Sequence, residues 1–100
     1  MDINSTIQSL YTRGQEILTS WGTASDIDLN VRETLGWFSK LKYLIDTLDD
    51  FSMNYSGVTY NMKLSYDIVC AALAYSGNHK ALYARFESSF EYIKGMMPSD

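Results

Sequence analysis

Cys70 and His79 are the chain's one cysteine and one histidine. Brought together, a thiol and an imidazole make an activated nucleophile. Their spacing opposes it. Cys70 lies within an apolar predicted helix, His79 opens the next one, and a thiol in apolar surroundings is inert. A zinc site needs three or four ligands, and these two residues supply at most two of the cysteine–histidine kind. The six glycines are scattered singly, so no glycine-rich phosphate loop is present. Asp46, Asp49 and Asp50 share one helix face by their spacing. Paired carboxylates can do acid–base work or hold magnesium. They would need partners from another helix, where Asp67 is the only acid in the middle of the third. No enzyme, metal or cofactor is expected.

Two interaction surfaces are the better candidates. Asp46, Asp49 and Asp50 crowd a helix C-terminus, where the dipole prefers cations and each exposed carboxylate costs about 0.3–1 kcal/mol. Capping of the next segment, or simple solvation, is the plain reading; a partner-binding patch is the functional one. The segment 52–62, SMNYSGVTYNM, has no charge at all. Its tyrosines, Tyr55 and Tyr60, offer rigid area with a polar tip, and its Ser and Asn residues adapt their hydrogen bonds. The plain reading there is tyrosines packed over a bundle end. Being adjacent in sequence, the two candidates can form one site with an aromatic anchor and a charged rim.

The elements that must position them are helical. The densest apolar load lies in the second helix, expected over 30–51. Val31, Leu35, Phe38, Leu41, Ile45 and Leu48 form one stripe, and Trp37, Leu41, Leu44, Leu48 and Phe51 lie beside it. The arc is too wide for one neighbour and predicts packing against at least two helices. Asn30 with Glu33 matches a capping box. The first helix, 3–21, carries a seam of Ile3, Ile7, Leu10, Gly14, Ile17 and Trp21, with Asp2 as its cap and Gly22 as its stop. Gly14 on that seam costs about 1 kcal/mol against alanine in propensity, which a bulky neighbour such as Trp37 or a close helix would explain. Between these helices, Asp26 to Asn30 imitates the opening of a calcium-binding EF-hand loop. Val31 and Trp37 stand where that loop needs glycine and glutamate, so it reads as a capping loop.

The segment 52–62 alternates as a small hairpin would, but the reading preferred here is a loop that enters the third helix, 57–76. Met62, Tyr66, Val69 and Leu73 form one stripe of that helix, and Leu64, Ile68, Ala71 and Tyr75 another. Cys70, Ala71, Ala72 and Ala74 predict close approach and burial on most sides. Gly77 is its left-handed stop and Asn78 the cap of the fourth helix, 79–95, which turns Leu82, Phe86, Phe90 (or Ser89), Ile93 and Met97 inward. Pro98 closes the fold.

The last two helices resemble one tetratricopeptide-type hairpin at Tyr66, Val69, Gly77, Phe86 and Ser89. His79 and Leu82 replace its usual tyrosine and alanine, Pro98 comes late, and the first half holds no second copy. A stack of that family needs about three units, so the pair reads as a generic helical hairpin. The small secreted WXG-type hairpins fit less well, since Trp21 is followed directly by Gly22.

One all-α domain, a small antiparallel four-helix bundle, is the fold expected of these 100 residues, of which 46% are hydrophobic. The formal charge of −4 comes wholly from the first half: residues 1–50 hold eight acids and four bases, residues 51–100 four of each. That balance argues against direct nucleic-acid binding, which uses Lys and Arg against phosphate, and none is expected. A single cysteine, no leading signal segment and no apolar run long enough for a bilayer set the expectation of a cytoplasmic protein with no membrane role. The function expected is stoichiometric association with a protein partner, of the inhibitor, immunity or viral anti-defence type, through Asp46, Asp49, Asp50, Tyr55 and Tyr60. The alternatives are an acidic decoy that blocks the groove of a basic nucleic-acid-binding protein, and a self-assembling component; a homodimer is compatible with either.

Overall fold

The computed structural model describes residues 3–23, 26–46, 52–55, 58–61 and 63–95, with side chains over 5–23, 26–46 and 67–95. In chain order the elements are α1 (Ile3–Thr23), α2 (Ile27–Asp46), β1 (Ser52–Tyr55), β2 (Val58–Asn61), α3 (Lys63–Leu73) and α4 (His79–Gly95). The four helices form an all-α bundle. The two strands are a hairpin set between its second and third helices.

Helix direction follows from the cross-helix contacts. Lys40 reaches Ser9, Trp37 reaches Leu10, and Arg13 reaches Glu33, so α1 and α2 run antiparallel. Phe90 stacks on Tyr11 and His79 on Trp21, so α1 and α4 are antiparallel as well. α2 packs against each of the other three helices, as its wide apolar arc requires. Val31, Phe38, Leu41 and Ile45 of its first stripe are buried, with Leu35 half-buried; Trp37 and Leu44 of its second are buried too. Leu48 and Phe51 lie outside the described residues.

The centre of the core is aromatic. Trp37 meets Phe86 edge-on at 4.8 Å and Phe38 at 5.4 Å, and Phe38 meets Phe86 at 6.2 Å, geometries that suit the ring quadrupoles. The indole N–H of Trp37 donates to the Leu10 carbonyl at 2.8 Å. Gly14 is a gap that a ring occupies. A Cβ there would stand 2.5 Å from Phe90 Cε1 and 3.4 Å from Trp37 Nε1. The residue that fills the gap is therefore chiefly Phe90, with Trp37 at its edge.

Several expected boundaries move. α2 begins at Ile27, and its cap is Asp26, whose carboxylate accepts from the Leu29 N–H at 3.0 Å and whose carbonyl accepts from the Asn30 N–H at 3.2 Å. Asn30 is not the cap. It sits one turn inside, 1% exposed, and its side-chain oxygen accepts from Ser20 Oγ at 2.6 Å. Beside it Thr34 accepts from Trp21 Nε1 at 2.8 Å and donates to the Asn30 carbonyl at 2.7 Å. These bonds satisfy the polar groups where α1 ends against α2. α1 runs past Gly22 to Thr23, with Thr19 and Thr23 bonding back to carbonyls four residues earlier. The expected cap Asp2 lies outside the described residues.

The largest shift concerns the third helix. It begins at Lys63 and not at 57, because residues 52–55 and 58–61 pair as strands, and it ends at Leu73 and not at 76. Its described side chains, from Asp67 on, are also less enclosed than its composition suggests. Val69 and Ala72 are buried and Leu73 is half-buried, whereas Ala71 and Ala74 are exposed and Cys70 is half-buried. Gly77 adopts a φ of 101° in the turn that follows, a conformation glycine takes without a Cβ penalty. Asn78 caps α4 as expected, accepting from the Ala81 N–H at 3.1 Å. Leu82, Phe86, Ser89, Phe90 and Ile93 face the core; Met97 and Pro98 lie outside the described residues.

Candidate functional site

The hairpin supplies the clearest candidate surface. β1 and β2 pair antiparallel in the register Ser52 to Asn61, Met53 to Tyr60, Asn54 to Thr59 and Tyr55 to Val58. Partners directly opposite share a face, and faces alternate along each strand. Met53, Tyr55, Val58 and Tyr60 therefore belong to one face of the ribbon, and Ser52, Asn54, Thr59 and Asn61 to the other. Tyr55 and Tyr60 are one diagonal step apart on the apolar face. The expected loop is thus an amphipathic two-stranded ribbon whose backbone fixes which residues act together. Among the described residues the two strands are the only ones in their sheet.

The three aspartates do not assemble into a described site. Asp46 is the last residue of α2, exposed, and bonded by Lys42 Nζ at 2.7 Å. That cation, one turn back, offsets much of the mismatch between a carboxylate and the negative helix end. Asp49 and Asp50 lie outside the described residues. Among the described residues no group of three or more His, Cys, Asp or Glu side chains could hold a metal ion, and no helix is long and apolar enough to cross a membrane. His79 stacks on Trp21, at 6.4 Å between ring centres, and Trp21 packs in turn on Tyr83 at 5.3 Å. The Tyr83 hydroxyl lies 3.5 Å from Glu87 Oε2. Burial first, and then the charge and hydrogen bond of Glu87, push its pKa above the usual 10.0.

A second surface has no counterpart among the sequence expectations. A groove of about 780 Å³ runs along the outside of the α1–α2 pair. Ser5, Gln8, Ser9 and Thr12 line it from α1, and Gly36 and Trp37 line it from α2. Lys40, bonded to Ser9 Oγ at 2.8 Å, closes one end. Arg13, paired with Glu33 and with Glu16, closes the other. Ser5, Ser9, Thr12 and Glu16 recur at helical spacing, each two residues on from a position of the apolar seam and so on the far side of α1 from it; spacing alone does not say what they lie beside.

No protein-family model, no curated protein and no solved structure matches the chain.

Proposed function

We propose that the protein acts without catalysis, by stoichiometric association with a protein partner, and that the hairpin of β1 and β2 is the contact surface. One observation carries this reading: the strand register gathers Met53, Tyr55, Val58 and Tyr60 of an uncharged segment onto one face. Tyrosine and methionine are enriched where proteins meet, and a compact cluster of aromatic anchors supplies most of an interface's energy. A two-stranded ribbon also offers edge hydrogen bonds to an added strand. The inhibitor, immunity and anti-defence classes work by this kind of association. The pairing of Asp46 with Lys42 removes one carboxylate from the alternative, an acidic decoy.

The test is capture of partners by the tagged chain from its host lysate, washed at low and at high salt, beside a Tyr55→Ala/Tyr60→Ala variant. The expected result is one stoichiometric partner that survives high salt and is lost in the variant, with the variant's thermal midpoint almost unchanged. A partner lost at high salt and kept by the tyrosine variant points to the acidic residues and overturns the reading. So does collapse of the variant's fold, which would make those tyrosines core.

A further inference from the structure

The α1–α2 groove is charged oppositely at its two ends. Lys40 Nζ is held by the neutral Ser9 hydroxyl, and among the described residues no carboxylate pairs with it. At the far end one guanidinium, Arg13, faces two carboxylates, Glu16 and Glu33, which leaves one net negative charge. Lys40 and Glu33 are two turns apart on α2, about 10 Å along the helix. Gly36 lies midway between them, exposed, and outside its own helix backbone and chain neighbours no described heavy atom lies within 4 Å of where a Cβ would stand.

Opposite charges placed either side of a central small residue make a surface complementary to its own copy. An isologous dimer brings residue i against j and j against i. If the twofold axis passes Gly36 with the two α2 helices antiparallel, each Lys40 faces the acidic end of the other copy. The contact is made twice by symmetry. The absent side chain at Gly36 lets the helix backbones approach, and the short side chains of Ser5, Ser9 and Thr12 keep the neighbouring α1 wall low. The stems of Lys40 and Arg13 add apolar cover while their heads stay paired.

We propose that this face of α1 and α2 is a homodimer interface, with the twofold axis at Gly36 and Lys40 of one copy against the Glu16–Glu33 cluster of the other. It uses a different surface from the hairpin and does not rest on the partner-binding reading.

Analytical ultracentrifugation from about 10 μM to about 1 mM, a range that brackets weak self-association, tests it. The wild-type mass should rise from monomer toward dimer. Lys40→Glu and Glu33→Lys should each raise the dissociation constant about tenfold or more, since each replaces two attractions by two repulsions. An equimolar mixture of these two variants should dimerise again, because the reversed charges then match at both contacts. Gly36→Leu should abolish the dimer and keep the circular dichroism spectrum, with a thermal midpoint no lower than that of wild type, because a Cβ there meets no described atom within 4 Å and glycine is the poorer helix former. A wild type that stays monomeric at the highest concentration overturns the proposal. A dimer untouched by these variants but lost on Tyr55→Ala/Tyr60→Ala overturns it in favour of the hairpin. Charge variants that stay monomeric when mixed overturn it as well, by showing that their loss was not one of charge matching.

Discussion

Two glycines on helices of the same bundle should respond to alanine in opposite directions. In a helix interior, Gly→Ala stabilises by about 1 kcal/mol through backbone entropy. At Gly36 nothing opposes that gain, since the new carbon meets open space. At Gly14 it would stand 2.5 Å from Phe90 Cε1. The ring cannot retreat freely, being stacked on Tyr11 at 5.7 Å between centroids and packed on Phe86 at 6.2 Å. Overpacking of this kind costs about 1–3 kcal/mol. Gly14→Ala should therefore range from neutral to about 2 kcal/mol less stable than wild type, and Gly36→Ala should be about 1 kcal/mol more stable. Urea denaturation at low micromolar concentration, below self-association, reads both. For a domain of this size each kcal/mol also moves the thermal midpoint by about 4–8 °C. A double-mutant cycle isolates the cause: in a Phe90→Leu background the Gly14→Ala penalty should shrink, a coupling expected only of residues in contact. Equal stabilisation by the two alanines would refute the claim that Gly14 exists to admit the ring.

Three further outcomes follow from single groups. Asp26→Ala should cost about 1 kcal/mol in urea denaturation, the usual worth of an N-cap; a silent Asp26→Ala would return the cap to Asn30. Ser89 is fully buried and its hydroxyl has no hydrogen-bond partner among the described residues, so Ser89→Ala should be neutral to about 1 kcal/mol stabilising, against the usual direction for a core change. Tyr83 holds its proton more tightly in the folded state, so its contribution to stability is complete below pH 10.0 and is lost as pH rises through the higher folded pKa. Absorbance titration of phenolate should show one tyrosine ionising late, and Glu87→Gln should bring it earlier by removing the charge and weakening the hydrogen bond that follow burial as causes.

What the sequence discloses depends on whether a feature follows from periodicity or from a particular pair. Burial follows from periodicity: the described seam positions of the first, second and fourth helices are in the core or packed against it, because any apolar residue at the right spacing serves. The cap of α2 does not. Asn30 and Glu33 match a capping box, but each is claimed by another helix: Asn30 accepts from Ser20, and Glu33 pairs with Arg13. With both engaged across the α1–α2 contact, the helix starts a turn earlier, where Asp26 is available to cap it. The alternation of Met53, Tyr55, Val58 and Tyr60 is compatible both with a hairpin and with a loop that enters the third helix, and periodicity over so few residues does not separate the two. β-branched Val58 and Thr59, on either side of which no charged residue falls between Ser52 and Met62, favour the pleated arrangement instead. The groove was hidden for a different reason. Apart from Trp37, its residues are those that periodicity assigns to solvent, and nothing in spacing says that two solvent-facing rows lie side by side with Lys40 at one end and Glu16 and Glu33 at the other. Periodicity constrains the inward faces because the core rejects any residue of the wrong kind. Solvent imposes no such test on the outward faces, so their meaning lies in pairs, and variants that break and then restore a pair, such as Lys40→Glu mixed with Glu33→Lys, are the measurements suited to them.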